Sequence, residues 1–166
     1  MPVRPLVTFP DQRLREIAAP VTLFDDALRR LADDLLDTMR AAPGVGITGP
    51  HIGALQRIVV LELPGTVPHT YINPTIIWAS DDTLIHEEGS VSMPGVIAPI
   101  ERPARVHVHY QDLDGTEHTE EADGLRAICH QHEIDQLNGI FWTQRLSPLR
   151  RNRVTVRFEK LIRASK

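Results

Sequence analysis

Cysteine and long apolar runs are both scarce in this chain of 166 residues. Cys129 is the single cysteine, which excludes an intramolecular disulfide and any zinc module built from several cysteines. No apolar run approaches the ~20 residues of a membrane-spanning helix, and the first residues lack the continuous apolar stretch of a secretory signal. We therefore predict a cytoplasmic protein with no membrane partner. The hydrophobic content of 42% favours one domain over residues 1–166 with its own core.

Positive charge is concentrated at the C-terminal end of the chain. Segment 145–166 carries eight Lys or Arg residues and one acid, Glu159, although the whole chain has a net charge of −4. Such a segment is either the solvated face of a terminal helix or a surface that docks on RNA by neutralising phosphates. The sequence leaves both interpretations open.

The hydrophobic pattern predicts helices towards both ends of the chain and strands between them. Apolar residues at helical spacing predict helices over 25–41 and 123–137. Strands are predicted at 57–63, 70–78, 105–112 and 118–121. Pro74 should place its strand at a sheet edge or interrupt it. The stretch after Ser147-Pro148 is compatible with a helix or a strand. The order of these elements predicts an α+β fold.

Three polar stretches could carry chemistry. Residues 132–136 read His-Glu-x-x-Gln. This differs only at the last residue from the His-Glu-x-x-His pattern, in which two imidazoles bind a metal and the glutamate is a general base. In segment 87–94, Ser90 could be a nucleophile only beside a base. The Gly-rich loop 44–53 matches neither a dinucleotide nor a phosphate motif. It is either a tight turn or a loop whose backbone lies against a ligand.

In this order, the three stretches resemble the motifs of the bacterial peptide deformylases, which are Gly-x-Gly-x-Ala-Ala-x-Gln, Glu-Gly-Cys-Leu-Ser and Gln-His-Glu-x-Asp-His. The similarity extends over essentially the whole chain, for example at Ile72-Asn73-Pro74 and Leu137-Asn138-Gly139. The resemblance implies antiparallel β-sheets around a central helix that carries the His-Glu motif. It also implies a divalent metal, iron or zinc, and removal of the formyl group from N-formylmethionyl peptides bound in a cleft.

Seven positions of this sequence correspond to the family's site. By resemblance, the general base is Glu133, the metal positions are Ser90, His132 and Gln136, and the substrate and oxyanion positions are Gly46, His51 and Val91. Serine and glutamine thus replace a cysteine and a histidine among the metal ligands. A histidine replaces the glutamine that stabilises the oxyanion.

These replacements should weaken metal binding. A hydroxyl and an amide are poorer ligands for iron or zinc than a thiolate and an imidazole, and even the loss of an outer-shell partner lowers metal affinity ~10–100-fold. We therefore predict that the metal is not tightly bound and that deformylase activity is weak or absent.

Three functions stay open at this point. The first is a pseudoenzyme that binds peptide N-termini, such as formyl-Met, in the cleft. The second is an active amide hydrolase with a rebuilt or different metal site. In that site His51 or Cys129 could be a ligand, although His51 could equally be a polar lining residue and Cys129 a small core residue. The third is a protein that contacts the ribosome or another RNA through segment 145–166.

Overall fold

The computed structural model describes residues 3–165, which form three α-helices and seven β-strands. In chain order these are α1 (Asp26–Ala41), β1 (Gly46–Thr48), β2 (Ile58–Leu61), β3 (His69–Ala79), β4 (Thr83–Ser90), β5 (Met93–Pro103), β6 (Arg105–Gln111), β7 (Glu117–Asp123), α2 (Gly124–Leu137) and α3 (Pro148–Ala164). Within this range no helix is both long enough and apolar enough to cross a membrane.

The strands form two antiparallel sheets that surround α2. Five strands pair in the order β1-β2-β3-β6-β7, and β4 pairs with β5. Helix α2 contacts strands of both sheets, and ten of its 14 residues are buried. A helix buried on most of its circumference has little exposed surface for polar side chains, so its many polar residues must find partners inside the protein. The predicted α+β fold around a central helix is confirmed.

Helix α1 begins and ends where its sequence pattern predicts. Asp25 caps its first turn by accepting a hydrogen bond from the Leu28 amide at 3.0 Å. Leu35 and Met39 are wholly buried against the five-stranded sheet. This packing fixes the start of the Gly-rich loop that follows the helix.

Strand β3 decides between the two alternatives drawn from Pro74. The strand lies between β2 and β6, inside the sheet and not at its edge, so the first alternative does not apply. The predicted interruption is confirmed, because the register with β6 shifts between Ile72 and Thr75. Asn73 adopts a positive φ of 50° there, and its side-chain oxygen accepts from the Val21 amide at 2.8 Å. The proline therefore lies in an irregular part of the ladder, where its missing N–H removes no regular hydrogen bond.

Strand β5 was not predicted from the sequence. Its eleven residues contain three prolines, at 94, 99 and 103, and proline normally argues against a strand. Because a two-stranded sheet leaves one edge of each strand unpaired, β5 tolerates these missing donors. Val96, Ala98 and Ile100 alternate inward into the core.

The C-terminal segment is a helix, which resolves the alternative left open above. Ser147 caps α3 by accepting from the Arg150 amide at 3.3 Å, and Pro148 occupies the first turn. Val154 and Phe158 are buried in the cluster that includes β5. The helix thus rests on the β4–β5 sheet through a few apolar side chains.

Phe158→Ala should destabilise the protein by about 3–5 kcal/mol, because it leaves a cavity beneath α3. Phe158 is 3% exposed and packs edge-on against Phe9. Urea unfolding measures the change. The matched control in the same helix is Val156→Ala, which removes a side chain that is 41% exposed and should cost under about 0.5 kcal/mol. Equal losses for the two variants would show that α3 is not anchored by Phe158.

Candidate functional site

A cavity of about 380 Å³ opens between α2, the Gly-rich loop and the β4–β5 sheet. Six of the seven site residues predicted from the sequence line it, namely Gly46, His51, Ser90, Val91, His132 and Glu133. Gln136 is not among its lining residues. The structure therefore brings together three motifs that lie far apart in the sequence.

Glu133 is buried in this cavity without a hydrogen-bond partner for Oε1 among residues 3–165. Burial raises the pKa of its carboxyl group to about 7, against the opposing effect of neighbouring His132. The other oxygen, Oε2, lies so close to Gly46 that a Cβ at position 46 would overlap it. Glycine at position 46 is therefore what gives the carboxylate room at the cavity wall.

A buried ion network fixes the ring of His132. Its Nδ1 lies 2.8 Å from Oε1 of Glu88, and Glu88 accepts two hydrogen bonds from Arg102, at 2.5 and 2.9 Å. Arg102 also donates to Asp135 at 2.9 Å. Burial opposes the charged form of His132, but the carboxylates of Glu133 and Glu88 raise the pKa of its imidazole above the ordinary value. Histidines that bind metals commonly have such a carboxylate on the other ring nitrogen.

The other two positions of the predicted metal triad make different bonds. The Ser90 hydroxyl accepts a hydrogen bond from the Ser92 amide at 3.0 Å. The Gln136 side-chain amide donates to the Leu14 carbonyl at 2.7 Å, which ties α2 to the N-terminal segment. In the described part of the chain, no group of three or more His, Cys, Asp and Glu side chains is placed to hold a metal ion.

His51 is a buried, neutral imidazole. Burial, followed by the charge of His132, lowers its pKa to about 3. Its Nδ1 accepts a hydrogen bond from the Thr48 amide at 2.9 Å, so we assign the single ring proton to Nε2. Nε2 has no hydrogen-bond partner within residues 3–165. The ring in this state offers a hydrogen-bond donor and no lone pair at Nε2, which favours polar lining over metal ligation.

Cys129 also lines the cavity, close to Glu133. Burial and then the Glu133 charge raise the pKa of its thiol to about 12. The side chain packs in an apolar cluster with Leu61 and Leu137. A thiol held protonated in this way is a poor metal ligand, because the thiolate is the ligand form.

Sequence reasoning missed Arg102. It lies on β5, the strand that was not predicted because it contains three prolines. Arg102 continues the alternating series of buried residues formed by Val96, Ala98 and Ile100. The signal was available in principle, because an arginine at an inward position of a strand must have a carboxylate partner.

His51 should remain neutral when the protein is titrated with acid. In the unfolded chain its imidazole takes up a proton near the ordinary pKa of 6.5, whereas in the folded chain it does so only at about 3. The unfolded state therefore binds more protons between these values, and stability falls as the pH drops through that window, by up to about 1.4 kcal/mol per pH unit.

Nitrogen-15 NMR of the ring measures this directly and should show the Nε2–H form from pH 8 to 5. His51→Gln should remove this part of the acid sensitivity in urea unfolding. A His51 resonance that titrates near pH 6.5 would contradict the assignment.

Comparison with known proteins identifies the family. The sequence profile named Polypeptide deformylase matches residues 3–152. A protein of Brucella suis biovar 1 named "Peptide deformylase-like" is 65% identical over 98% of this chain and 100% of its own length. The same strain has a protein named "Peptide deformylase" that is 45% identical over 100% of this chain and 98% of its own length.

Solved structures agree with the sequence comparison. The crystal structure of a peptide deformylase from Ehrlichia chaffeensis in complex with actinonin superposes with a TM-score of 0.92 at 36% identity, over 96% of this chain and 98% of that chain. The family profile, the sequence relatives and the fold all indicate the same family. The three sequence motifs also contribute residues to one cavity. The chain belongs to the peptide deformylase family, whose members are metal-dependent.

Proposed function

We propose that this protein is a pseudoenzyme of its family, which binds peptide N-termini in the cavity and has weak or absent deformylase activity. The observation that carries the proposal is the set of donors near His132. Ser90 offers a neutral hydroxyl that already accepts a hydrogen bond from Ser92, and the Gln136 amide is bonded to Leu14. These groups do not fit a tightly held iron or zinc ion, which favours thiolate and imidazole.

Weak metal binding would deprive the site of the source of an acidic water. A bound zinc ion lowers the pKa of water from ~15.7 to ~7. Without a metal, Glu133 can accept a hydrogen bond from water or ligand but has no comparably acidic water to deprotonate. Slow or absent hydrolysis follows from the donor set and does not require the cavity to collapse.

The relatives support a division of roles. Brucella suis has both a deformylase-like protein and a protein named peptide deformylase, and this chain is more similar to the first. In that strain the protein named peptide deformylase can carry out the deformylase reaction, which leaves the deformylase-like protein free for another role. A binding role for the deformylase-like protein is consistent with this arrangement.

The cavity suits an apolar N-terminal residue. Val45, Ile97 and Leu125 line it and are exposed, so the lining offers apolar surface to a ligand beside its polar groups. The neutral Nε2–H of His51 can donate to a carbonyl or formyl oxygen. Gly46 and Val91 also line the cavity. A peptide that begins with methionine or formyl-methionine matches this combination.

An active hydrolase with a rebuilt or different metal site is the second candidate. The observation in its favour is Glu133, because a buried carboxyl group with a pKa raised to about 7 is well matched to general base catalysis near neutral pH. This candidate requires ligands other than the family triad.

Metal content and turnover separate these two candidates. Purified, untagged protein should contain well under one equivalent of metal and should release little formate from formyl-Met-Ala. Ser90→Cys combined with Gln136→His should gain about one equivalent of metal together with deformylase activity, because it restores the thiolate and the imidazole. Elemental analysis and a formate assay measure the two properties.

The matched control is Ser92→Cys with Gln136→His, which adds the same groups but places the thiol two residues away and should not gain a metal. Turnover by the unmodified protein with added iron, nickel, cobalt or zinc, abolished by Glu133→Ala, would refute the pseudoenzyme and favour the second candidate. No calorimetric signal with formyl-Met peptides or Met peptides at millimolar concentration would refute the binding role.

Helix α3 supports a contact with RNA as a separate role. Arg145 is bonded to Asp135, and Arg150 and Arg151 donate to backbone carbonyls. The remaining basic residues of the described helix are exposed, namely Arg153, Arg157, Lys160 and Arg163. These four residues give the exposed surface of α3 a positive charge, and this surface could dock on the ribosome or another RNA. This role requires the cytoplasmic location that the sequence predicts.

RNA binding through α3 should weaken steeply as salt rises, because each neutralised phosphate releases counterions. The combined variant Arg153→Gln, Arg157→Gln should reduce both the affinity and the slope against salt by about two phosphate contacts. Filter binding to ribosomes or ribosomal RNA at several salt concentrations measures both. Arg29→Gln with Arg30→Gln on α1 is the charge-matched control. Binding that is independent of salt would exclude the electrostatic contact.

A further inference from the structure

Two polar atoms in the cavity are buried and have no partner in the described chain. They are Oε1 of Glu133 and Nε2 of His51, on residues that are 4% and 1% exposed. A buried polar atom without a hydrogen bond costs free energy unless a ligand or water supplies the partner. Oε1 of Glu133 accepts hydrogen bonds and Nε2–H of His51 donates one. A ligand that satisfies both atoms must therefore offer one donor and one acceptor.

The charged groups that face Glu133 come from three elements. His132 is its neighbour on α2, Glu88 lies on β4 and Arg102 lies on β5. Glu88 is compensated by Arg102 and His132. His51 faces the same cavity from the turn after β1 and is neutral.

The carboxylate of Asp135, which also belongs to the Arg102 network, is compensated as well. Asp135 has ion pairs with both Arg102 and Arg145. Within residues 3–165, Glu133 has neither a hydrogen bond to Oε1 nor an ion pair with an arginine or lysine. Glu133 is therefore a buried carboxylate of the cavity whose charge no arginine or lysine of the described chain balances. It lies next to His132, one of the positions that correspond to the family's metal ligands.

We propose that this cavity selects a free amino terminus, a protonated α-amine on an apolar residue, over a formylated one. The inference rests on the proposed peptide-binding function and names the class of ligand. The ligand's ammonium group replaces the positive charge that the metal would supply and donates to Glu133. The first carbonyl oxygen of the peptide accepts from Nε2–H of His51.

Charge decides between the two kinds of terminus. An ammonium group has three N–H donors and a full positive charge, whereas a formamide has one neutral N–H. Hydrogen bonds between charged partners are roughly twice as strong as neutral ones. A formylated terminus brings no positive charge to the buried Glu133. The carboxyl group must then stay uncompensated or be held in its neutral form, and neither state makes the charge-assisted hydrogen bond of the ammonium complex. The protein would thus bind the product of deformylation, and no covalent step is involved.

Isothermal calorimetry on the full chain, treated with a chelator, tests the inference. The probes are the peptides Met-Ala-Ser, formyl-Met-Ala-Ser and acetyl-Met-Ala-Ser. Met-Ala-Ser should bind about tenfold or more tightly than either blocked peptide. Glu133→Gln keeps the shape of the side chain and removes its charge, so it should reduce the preference to less than about threefold. Glu121→Gln, on the exposed end of β7, changes the net charge equally and should leave the preference intact.

The outcomes distinguish this inference from the proposed function. Formylated peptide that binds as tightly as the free amine, or more tightly, overturns the inference and leaves the peptide-binding role in place. A preference that survives in Glu133→Gln also overturns it, because Glu133 is then not its source. Absence of binding by all three peptides overturns both. If Glu133→Gln does not fold, the comparison of the three peptides on the unmodified protein still decides.

Discussion

Arg102 holds the β4–β5 sheet to the central helix by donating to Glu88 on β4 and to Asp135 on α2. Its side chain is 5% exposed, so the network must be complete to be tolerated, because a buried charge without its partner is strongly destabilising. Glu88 then orients His132. The position of the imidazole, and with it one wall of the cavity, depends on this buried arginine.

The site combines a preserved frame with altered donors. Gly46 still gives Glu133 room, and the ion network still fixes His132. The groups expected to bind a cation have instead become a hydroxyl and an amide with hydrogen bonds of their own. The Arg102 network fixes one wall of this cavity through hydrogen bonds between the chain's own residues.

The basic residues of segment 145–166 differ in what they contact. Arg145 has a side chain that is 46% exposed but pairs with the largely buried Asp135 of the Arg102 network, whereas Arg157 and Arg163 lie on the exposed surface of α3. Buried ion pairs contribute to a unique arrangement of the core, while exposed charges contribute chiefly to long-range attraction of a partner. A count of charges along the sequence does not separate these roles.

Local information in the sequence determined the helices α1 and α2, the order of the motifs and the family, but left α3 open between a helix and a strand. Capping residues and apolar spacing fix α1 and α2 within a residue or two, because helices are stabilised by neighbours three and four positions apart. The replacements at Ser90, His51 and Gln136 are equally visible in the sequence, since identity at a motif position needs no coordinates. Only the tertiary structure decided what these side chains do. Gln136 bonds to a carbonyl 122 residues away, β5 depends on its pairing with β4, and the proton on His51 depends on how the backbone turns at Thr48. These three features depend on contacts between distant segments or on the backbone geometry of a turn. Local residue preferences carry no information about such contacts or such geometry.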